Sequence, residues 1–298
     1  MHNFSRIVIK DLKPLASSFP LEWEVASFMG EGFKLPVLNG LGKTNRIDNW
    51  WSQPLIMGTG LTITLIYTFW RLFIYDLEIS YHLNGSTVVS PLFSPNILEW
   101  ELFSLNEWAK TAPNWINAAI LIIWIPFGFR GTCYYMRRVY YRSFFASPAA
   151  CWVDEPQINK SLGYKGEKMV FIINNLHRYF LYAAIIILLI KWWDVTHTMH
   201  FNDGFGISIG TLVMGIEAFL LSMYVTSCHA LRHLAGGVLD RWVSGVSKLR
   251  GKMFKKISII NRSHGFWFWA SLIFVFLGDL WVLAVNKGYL SDIAIFVI

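Results

Sequence analysis

The chain of 298 residues is short of charge. Asp, Glu, Lys and Arg make up 15% of it, against 54% hydrophobic residues. A soluble globular domain carries nearer a quarter charged residues, so a water-soluble enzyme is excluded. Cysteine is scarce as well. Three cysteines, an odd count, build no secreted disulfide framework and are free thiols, metal ligands, or a pair plus one. The first 30 residues lack an apolar run of signal length and hold Asp11, Glu22 and Glu24, so neither a cleavable signal peptide nor an Arg-rich transit peptide is expected. The sequence shows no internal repeat, low-complexity tract, flavin-binding motif or large soluble domain. Aromatics are plentiful, at 17% with 15 Trp, and Trp and Tyr collect where membrane meets water. The net charge of +7 reads as membrane topology, and no nucleic-acid partner is expected.

A bilayer core about 30 Å thick takes roughly 20 apolar residues of helix to cross. Five stretches qualify: 54–75, 115–135, 170–193, 205–227 and 266–285. Segment 130–169 carries seven Lys/Arg against three acids, and 229–264 carries eight against one. Segment 76–113 carries one Lys against five acids. Basic loops stay in the cytoplasm. The expected fold is therefore an all-α integral membrane protein, a bundle of five transmembrane helices with the N-terminus cytoplasmic and the C-terminus outside. Residues 1–50 read as a cytoplasmic arm, 51–298 as the transmembrane domain in lipid, and 76–113 as an outer loop. Pro126 and Gly128 should bend the second span and open a pocket there. Arg71, near the end of the first span, can snorkel to the interface. Glu217 and Asp279 lie inside spans, where an ionisable group needs a reason. Each either pairs within the bundle and ties helices together, or belongs to a proton path to a redox site.

The cysteines and most histidines gather at the cytoplasmic ends of these spans. Cys133 ends the second, Cys151 lies in the loop beyond it, and His177 opens the third. Cys228, His229 and His233 close the fourth, and His264 opens the fifth. His229 and His233 are four apart on a helix, so their imidazoles share a face and can reach one metal. Two cysteines and two histidines are the ligand set of a Rieske [2Fe–2S] centre and equally of a structural zinc site. A b-type haem would instead take His177 with His229 or His233. Tyr134, Tyr135, Arg138, Arg178, Tyr179 and Arg232 surround the cluster, most of them as an interfacial belt, with one or two placed to bond quinone carbonyls. Thr132, Ser227 and Arg232 stand where they could tune a bound centre.

Several ordered segments carry a family resemblance: Thr132-Cys133-Tyr-Tyr with Arg137, Ser147-Pro-Ala-Ala-Cys151, Asn175-Leu-His177-Arg-Tyr-Phe180, Gly210-Thr-Leu-Val213, Ser227-Cys228-His229 with Arg232-His233, and Gly278-Asp279-Leu280. Over about 115–285 the chain resembles the membrane-anchor (cytochrome-b-type) subunit of the succinate dehydrogenase/fumarate reductase family, of the haem-free type with a membrane-embedded Rieske-like cluster. The resemblance implies partners in an iron–sulfur subunit and a flavoprotein subunit, quinone as substrate, a multi-pass place in a bacterial inner membrane, and no activity of the chain alone. It also implies a [2Fe–2S] cluster, with haem b the alternative. The expected ligands are Cys133, Cys228, His229 and His233. Cys151 and His177 stand in reserve, and His177 alternatively bonds quinone. A non-redox membrane protein with structural zinc is the reading from another class.

Overall fold

The computed structural model describes residues 48–74, 79–97, 113, 117–148, 170–202, 204–243 and 245–298. The expected arm 1–50 lies almost wholly outside these, whereas just over half of the expected outer loop 76–113 lies within them. In chain order come α1 (Ser52–Phe73), the hairpin β1–β2 (Ser80–Leu83 and Ser86–Val89), α2 (Ala118–Ile122), α3 (Trp124–Thr132), α4 (Tyr134–Phe145) and α5 (Val170–His197). Then follow β3 (His200–Phe201), β4 (Gly204–Ser208), α6 (Ile209–Thr226), α7 (His229–Arg232) running into a π-turn (His233–Gly237), α8 (Gly245–Asn261), α9 (His264–Asn286) and β5 (Ala294–Val297).

Among the described residues four helices, α1, α5, α6 and α9, are long and apolar enough to cross a membrane. Several of their hydroxyls are satisfied within the helix, as lipid favours. In α1 the hydroxyls of Thr62, Thr64 and Thr68 donate to carbonyls four residues back, at 2.8–2.9 Å. The helix α6 starts on a reciprocal cap, in which Ser208 and Thr211 each accept the other's backbone N–H through their side-chain oxygens.

The expected second span, 115–135, is not one continuous helix. It is α2 and α3, hinged at Ile123, and α3 stops at Cys133, whose ψ of 132° is extended. Pro126 has no N–H to offer the carbonyl of Ile122 and its ring crowds that carbonyl, so the helix ends there and restarts. The nine residues of α3 reach about 14 Å, half of a bilayer core of about 30 Å.

The helix α6 packs along α9 and α5, α3 lies on α5, and α1 leans on α4. At one end of the bundle sit the β1–β2 hairpin and the β3–β4–β5 sheet. The hairpin turns through Asn84 and Gly85, both at positive φ. A Cβ on Gly85 would fall 2.1 Å from Oδ1 of Asn202, so only glycine serves. Arg71, expected to snorkel, is instead fully buried. Its Nε and Nη2 donate to Asp279 at 2.7 and 2.9 Å, and the hydroxyls of Tyr67 and Ser90 donate to the same carboxylate. Asp279 thus ties α9 to α1 and the hairpin, the first of the two roles its position allowed. Glu217 on α6 faces Lys191 on α5 at 3.8 Å. At the opposite end Phe129, Leu181, Tyr224, Cys228 and Phe268 form the apolar core.

Candidate functional site

At that opposite end four side chains from four elements converge. Cys133 sits between α3 and α4, and Cys228 between α6 and α7. Each interrupts its helices with an extended residue, φ −61° and ψ 132° at Cys133 and φ −64° and ψ 137° at Cys228. The break turns both thiols inward, and both are buried. His177 comes from the first turns of α5 and His264 opens α9. Nε2 of His177 lies 3.1 Å from Sγ of Cys228, and Nε2 of His264 lies 3.4 Å from Sγ of Cys133.

The other nitrogen of each ring is held. Nδ1 of His177 is 2.9 Å from Oγ1 of Thr132, and Nδ1 of His264 is 2.6 Å from Oγ of Ser227. Each hydroxyl gives its single proton to a backbone carbonyl, Thr132 to Gly128 at 2.6 Å and Ser227 to Tyr224 at 2.9 Å. Both oxygens therefore accept from the imidazoles. Nδ1 carries the hydrogen in each ring, and the Nε2 lone pair points at the sulfur. An aromatic ring backs each imidazole: Phe129 stacks on His177 at 4.8 Å and Tyr224 on His264 at 5.1 Å.

These relations repeat. Phe129-x-x-Thr132-Cys133-x-x-x-Arg137 followed by Asn174-x-x-His177 matches Tyr224-x-x-Ser227-Cys228-x-x-x-Arg232 followed by Asn261-x-x-His264. The matching residues play matching parts. Arg137 donates to Oδ1 of Asn174 at 2.8 Å, and Arg232 to Oδ1 of Asn261 at 3.4 Å. The site is thus two copies of one unit, against the sequence expectation of no internal repeat. Too few positions are shared for similarity along the chain to reveal it. Each unit orients its own histidine, and the histidine then faces the cysteine of the other unit. The two cannot separate without breaking the site.

The four side chains border a cavity of about 1100 Å³ whose walls also include Tyr134, Tyr135, Arg178, His229 and His233. Of the remaining expected residues, Arg138 and Tyr179 are exposed, and Arg232 packs over the ring of Phe254 at 4.8 Å. Cys151 lies outside the described residues. The spacing argument favoured His229 and His233, but the sulfurs face His177 and His264. His229 and His233 do stay one helical turn apart, with the N–H of His233 on the carbonyl of His229, and both border the same cavity, but neither meets a sulfur. His264 belongs to the cysteine–histidine constellation of the sequence but stands outside the expected ligand set. Its signal was the Asn-x-x-His spacing it shares with His177.

Among the described residues no three His, Cys, Asp or Glu side chains stand close enough together to hold a metal ion as placed. The donors meet instead as two Cys–His pairs. Burial, and then the neighbouring Cys133, push the Cys228 thiol up to about 12. It is a neutral thiol at pH 7, and a bound cation is what would favour the thiolate. Backbone N–H groups of Tyr135 and Met136 face the sulfur of Cys133, and those of Ala230 and Leu231 face that of Cys228.

Residues 52–288, which contain all four converging side chains, match the family described as actinobacterial succinate dehydrogenase subunit SdhC. The chain belongs to the SdhC family. It is a non-catalytic membrane-anchor subunit of a succinate dehydrogenase complex, with other subunits of that complex as its partners, in a bacterial membrane that it crosses several times. The SdhC chain is also similar to a chain in the solved structure of the Mycobacterium smegmatis Sdh1 complex in the apo form, at 30% identity and a TM-score of 0.69, over 89% of this chain and 99% of that one. No curated protein is similar enough to add to these findings.

Proposed function

We propose that this SdhC-type anchor passes electrons between a docked iron–sulfur subunit and a membrane quinone through a Rieske-like [2Fe–2S] centre held by Cys133, Cys228, His177 and His264. The observation that carries this reading is the meeting of two thiols with two imidazole nitrogens whose lone pairs face the sulfurs. Two cysteines and two histidines are the donor set of such a centre. When bound, the centre would supply one-electron transfer at a potential raised by its imidazole ligands. The chain supplies the rest. Thr132 and Ser227 fix which nitrogen of each ring can ligate, the four backbone N–H groups aimed at the sulfurs adjust their basicity, and Phe129 and Tyr224 keep water off the imidazoles. His229, His233 and Cys151 fall outside this ligand set.

The finer topology belongs to the same proposal. The broken α2–α3 segment makes a fifth crossing, the N-terminus is cytoplasmic and the C-terminus is outside. The excess of basic residues over 130–169 and 229–264, at the cysteine–histidine end, supports this orientation. The iron–sulfur subunit, with the flavoprotein behind it, docks there.

Low-temperature EPR with iron and haem analysis on the purified, dithionite-reduced complex tests the reading. The expected result is a Rieske-type signal without haem, lost in His264→Ala and kept in His233→Ala. Haem without that signal would move the assignment to a b-haem anchor. Zinc without iron would make the site structural.

A further inference from the structure

The helix α8 has three faces. One is held by the rest of the chain: Gly251 is buried, and Arg250, Phe254 and Asn261 are half-buried. Nε and Nη2 of Arg250 donate to the carbonyls of Ala235 and Leu234 at 2.9 and 2.7 Å, and Asn261 donates to the carbonyl of Ser227 at 2.6 Å. The ring of Trp242 lies on that of Phe254 at 5.1 Å. These contacts fix α8 against the π-turn and the end of α6.

The other two faces are bare, and they differ. Val246, Leu249 and Met253 recur three and four residues apart and so form one row, 74%, 59% and 47% exposed. Beside it runs a row of exposed cations, Lys248, Lys252, Lys255 and Lys256, with Arg262 just past the helix end. Residues 245–264 contain no Asp or Glu, so α8 does not neutralise its own charge. Ile259, 65% exposed, interrupts the basic row toward the end that joins α9.

That junction sets the depth of α8. Only Arg262 and Ser263 separate it from α9, which is long and apolar enough to cross a membrane. Trp267 and Trp269 stand in the first two turns of α9, and Trp collects at the membrane–water boundary. The end of α8 is therefore held at that boundary. An apolar row is unfavourable in water, and a row of cations is unfavourable in hydrocarbon. At the boundary both are met side by side, acyl chains under the one and phosphates against the other. A protein partner suits the surface less well. Protein interfaces are depleted in Lys and enriched in Arg, and four of the five exposed cations here are Lys.

We propose that α8 is a binding site for anionic phospholipid in the leaflet at the cysteine–histidine end. Val246, Leu249 and Met253 enter the acyl layer. Lys248, Lys252, Lys255 and Lys256 lay their stems along it and bring their ammonium groups to the phosphates. Bound lipid clamps α8, and with it Asn261 on the Ser227 carbonyl beside His264. Nothing in this binding needs a cluster at the cysteine–histidine site.

Two measurements on the purified complex test it. In the first, spin labels on Met253→Cys and Lys255→Cys are read by EPR power saturation after reconstitution into phosphatidylglycerol–phosphatidylcholine vesicles, with the unmodified complex as blank. The label at 253 is expected to collide more with oxygen than with a water-soluble nickel chelate, and the label at 255 the reverse. Low collision with both at 253 would mean that another subunit covers the row. Predominant nickel collision there would mean that water does. Either result overturns the proposal. In the second, delipidated complex is titrated with phosphatidylglycerol or phosphatidylcholine and its thermal unfolding followed. Phosphatidylglycerol is expected to stabilise at the lower concentration. Each lysine at an anionic surface contributes about fivefold to binding, so the triple variant Lys252→Gln, Lys255→Gln, Lys256→Gln should need roughly a hundredfold more. Without lipid it should unfold where the unmodified complex does. Equal midpoints for the two lipids, or no change in the triple variant, would also overturn the assignment.

Discussion

Cys133 and His264 are 131 residues apart in sequence and meet at 3.4 Å, Sγ to Nε2. The contact joins a cysteine of one repeated unit to a histidine of the other. Its mirror, His177 with Cys228 at 3.1 Å, closes the pair. The hydroxyl preceding each cysteine orients the histidine that the other cysteine faces, so the site is interlocked twice over.

Removing those hydroxyls should therefore loosen a bound centre without unfolding the bundle. Thr132→Val and Ser227→Ala each free one imidazole to rotate, and the loss of such a supporting partner typically weakens metal retention tenfold to a hundredfold, roughly. Iron retained by the purified complex after timed exposure to a chelator measures this. Retention equal to that of the unmodified complex in both variants would mean that the rings are held by their stacking alone.

The two arginine–asparagine braces should not be equal. Arg137 is fully buried with its bond to Asn174 at 2.8 Å, whereas Arg232 is half-buried and reaches Asn261 at 3.4 Å. Arg137→Ala is expected to cost about 1.5–3 kcal/mol, as for a buried charged hydrogen bond, and Arg232→Ala less. Thermal unfolding of the two variants in the same detergent ranks them, and a larger loss in Arg232→Ala would refute the order.

The Arg71–Asp279 pair gives a third expectation. Asp279→Ala leaves a buried guanidinium without its carboxylate, at a cost of about 3–5 kcal/mol. Arg71→Met combined with Asp279→Ala should recover most of that, because no charge is then stranded. A double-mutant cycle read by thermal unfolding shows it, and simple addition of the two single effects would contradict it.

Gly236 is where α8 comes closest to the π-turn. A Cβ there would lie 2.8 Å from the backbone oxygen of Arg250, whereas at Gly237 the nearest atom, on the ring of Phe254, is 3.3 Å away. Backbone cannot swing aside as a ring can. Gly236→Ala should destabilise by about 1–3 kcal/mol, and Gly237→Ala by clearly less. Limited proteolysis within 238–250 reports the loosening, and equal cleavage of the two variants would count against this account.

Much of the architecture follows directly from composition. Low charge and long runs of Leu, Ile and Phe require a membrane, and apolar length alone places α1, α5, α6 and α9 to within a few residues, because lipid leaves the backbone no choice but helix. The gathering of cysteines and histidines at one end was equally legible, since basic loops and span ends set depth without any tertiary information. The break at Pro126 was half legible. Proline announces a bend, but whether the chain bends or stops depends on what packs against it.

What only the tertiary structure decided is pairing. Sequence spacing favoured His229 with His233, because an unbroken helix puts residues four apart on one face. That turn is kept, yet the packing of α5 and α9 brings His177 and His264 to the sulfurs instead. Arg71 looked like a side chain bound for the interface until Asp279, 208 residues away, claimed it. The duplicated unit is spread over two helix pairs and shares only its functional positions, so its partners are recognised by where their atoms meet. By itself the sequence determined which residues must be in the membrane and at which end the reactive ones gather, because these are sums over local apolarity and charge. Which thiol faces which imidazole depends on the packing of helices far apart in the chain, and the tertiary structure alone sets it.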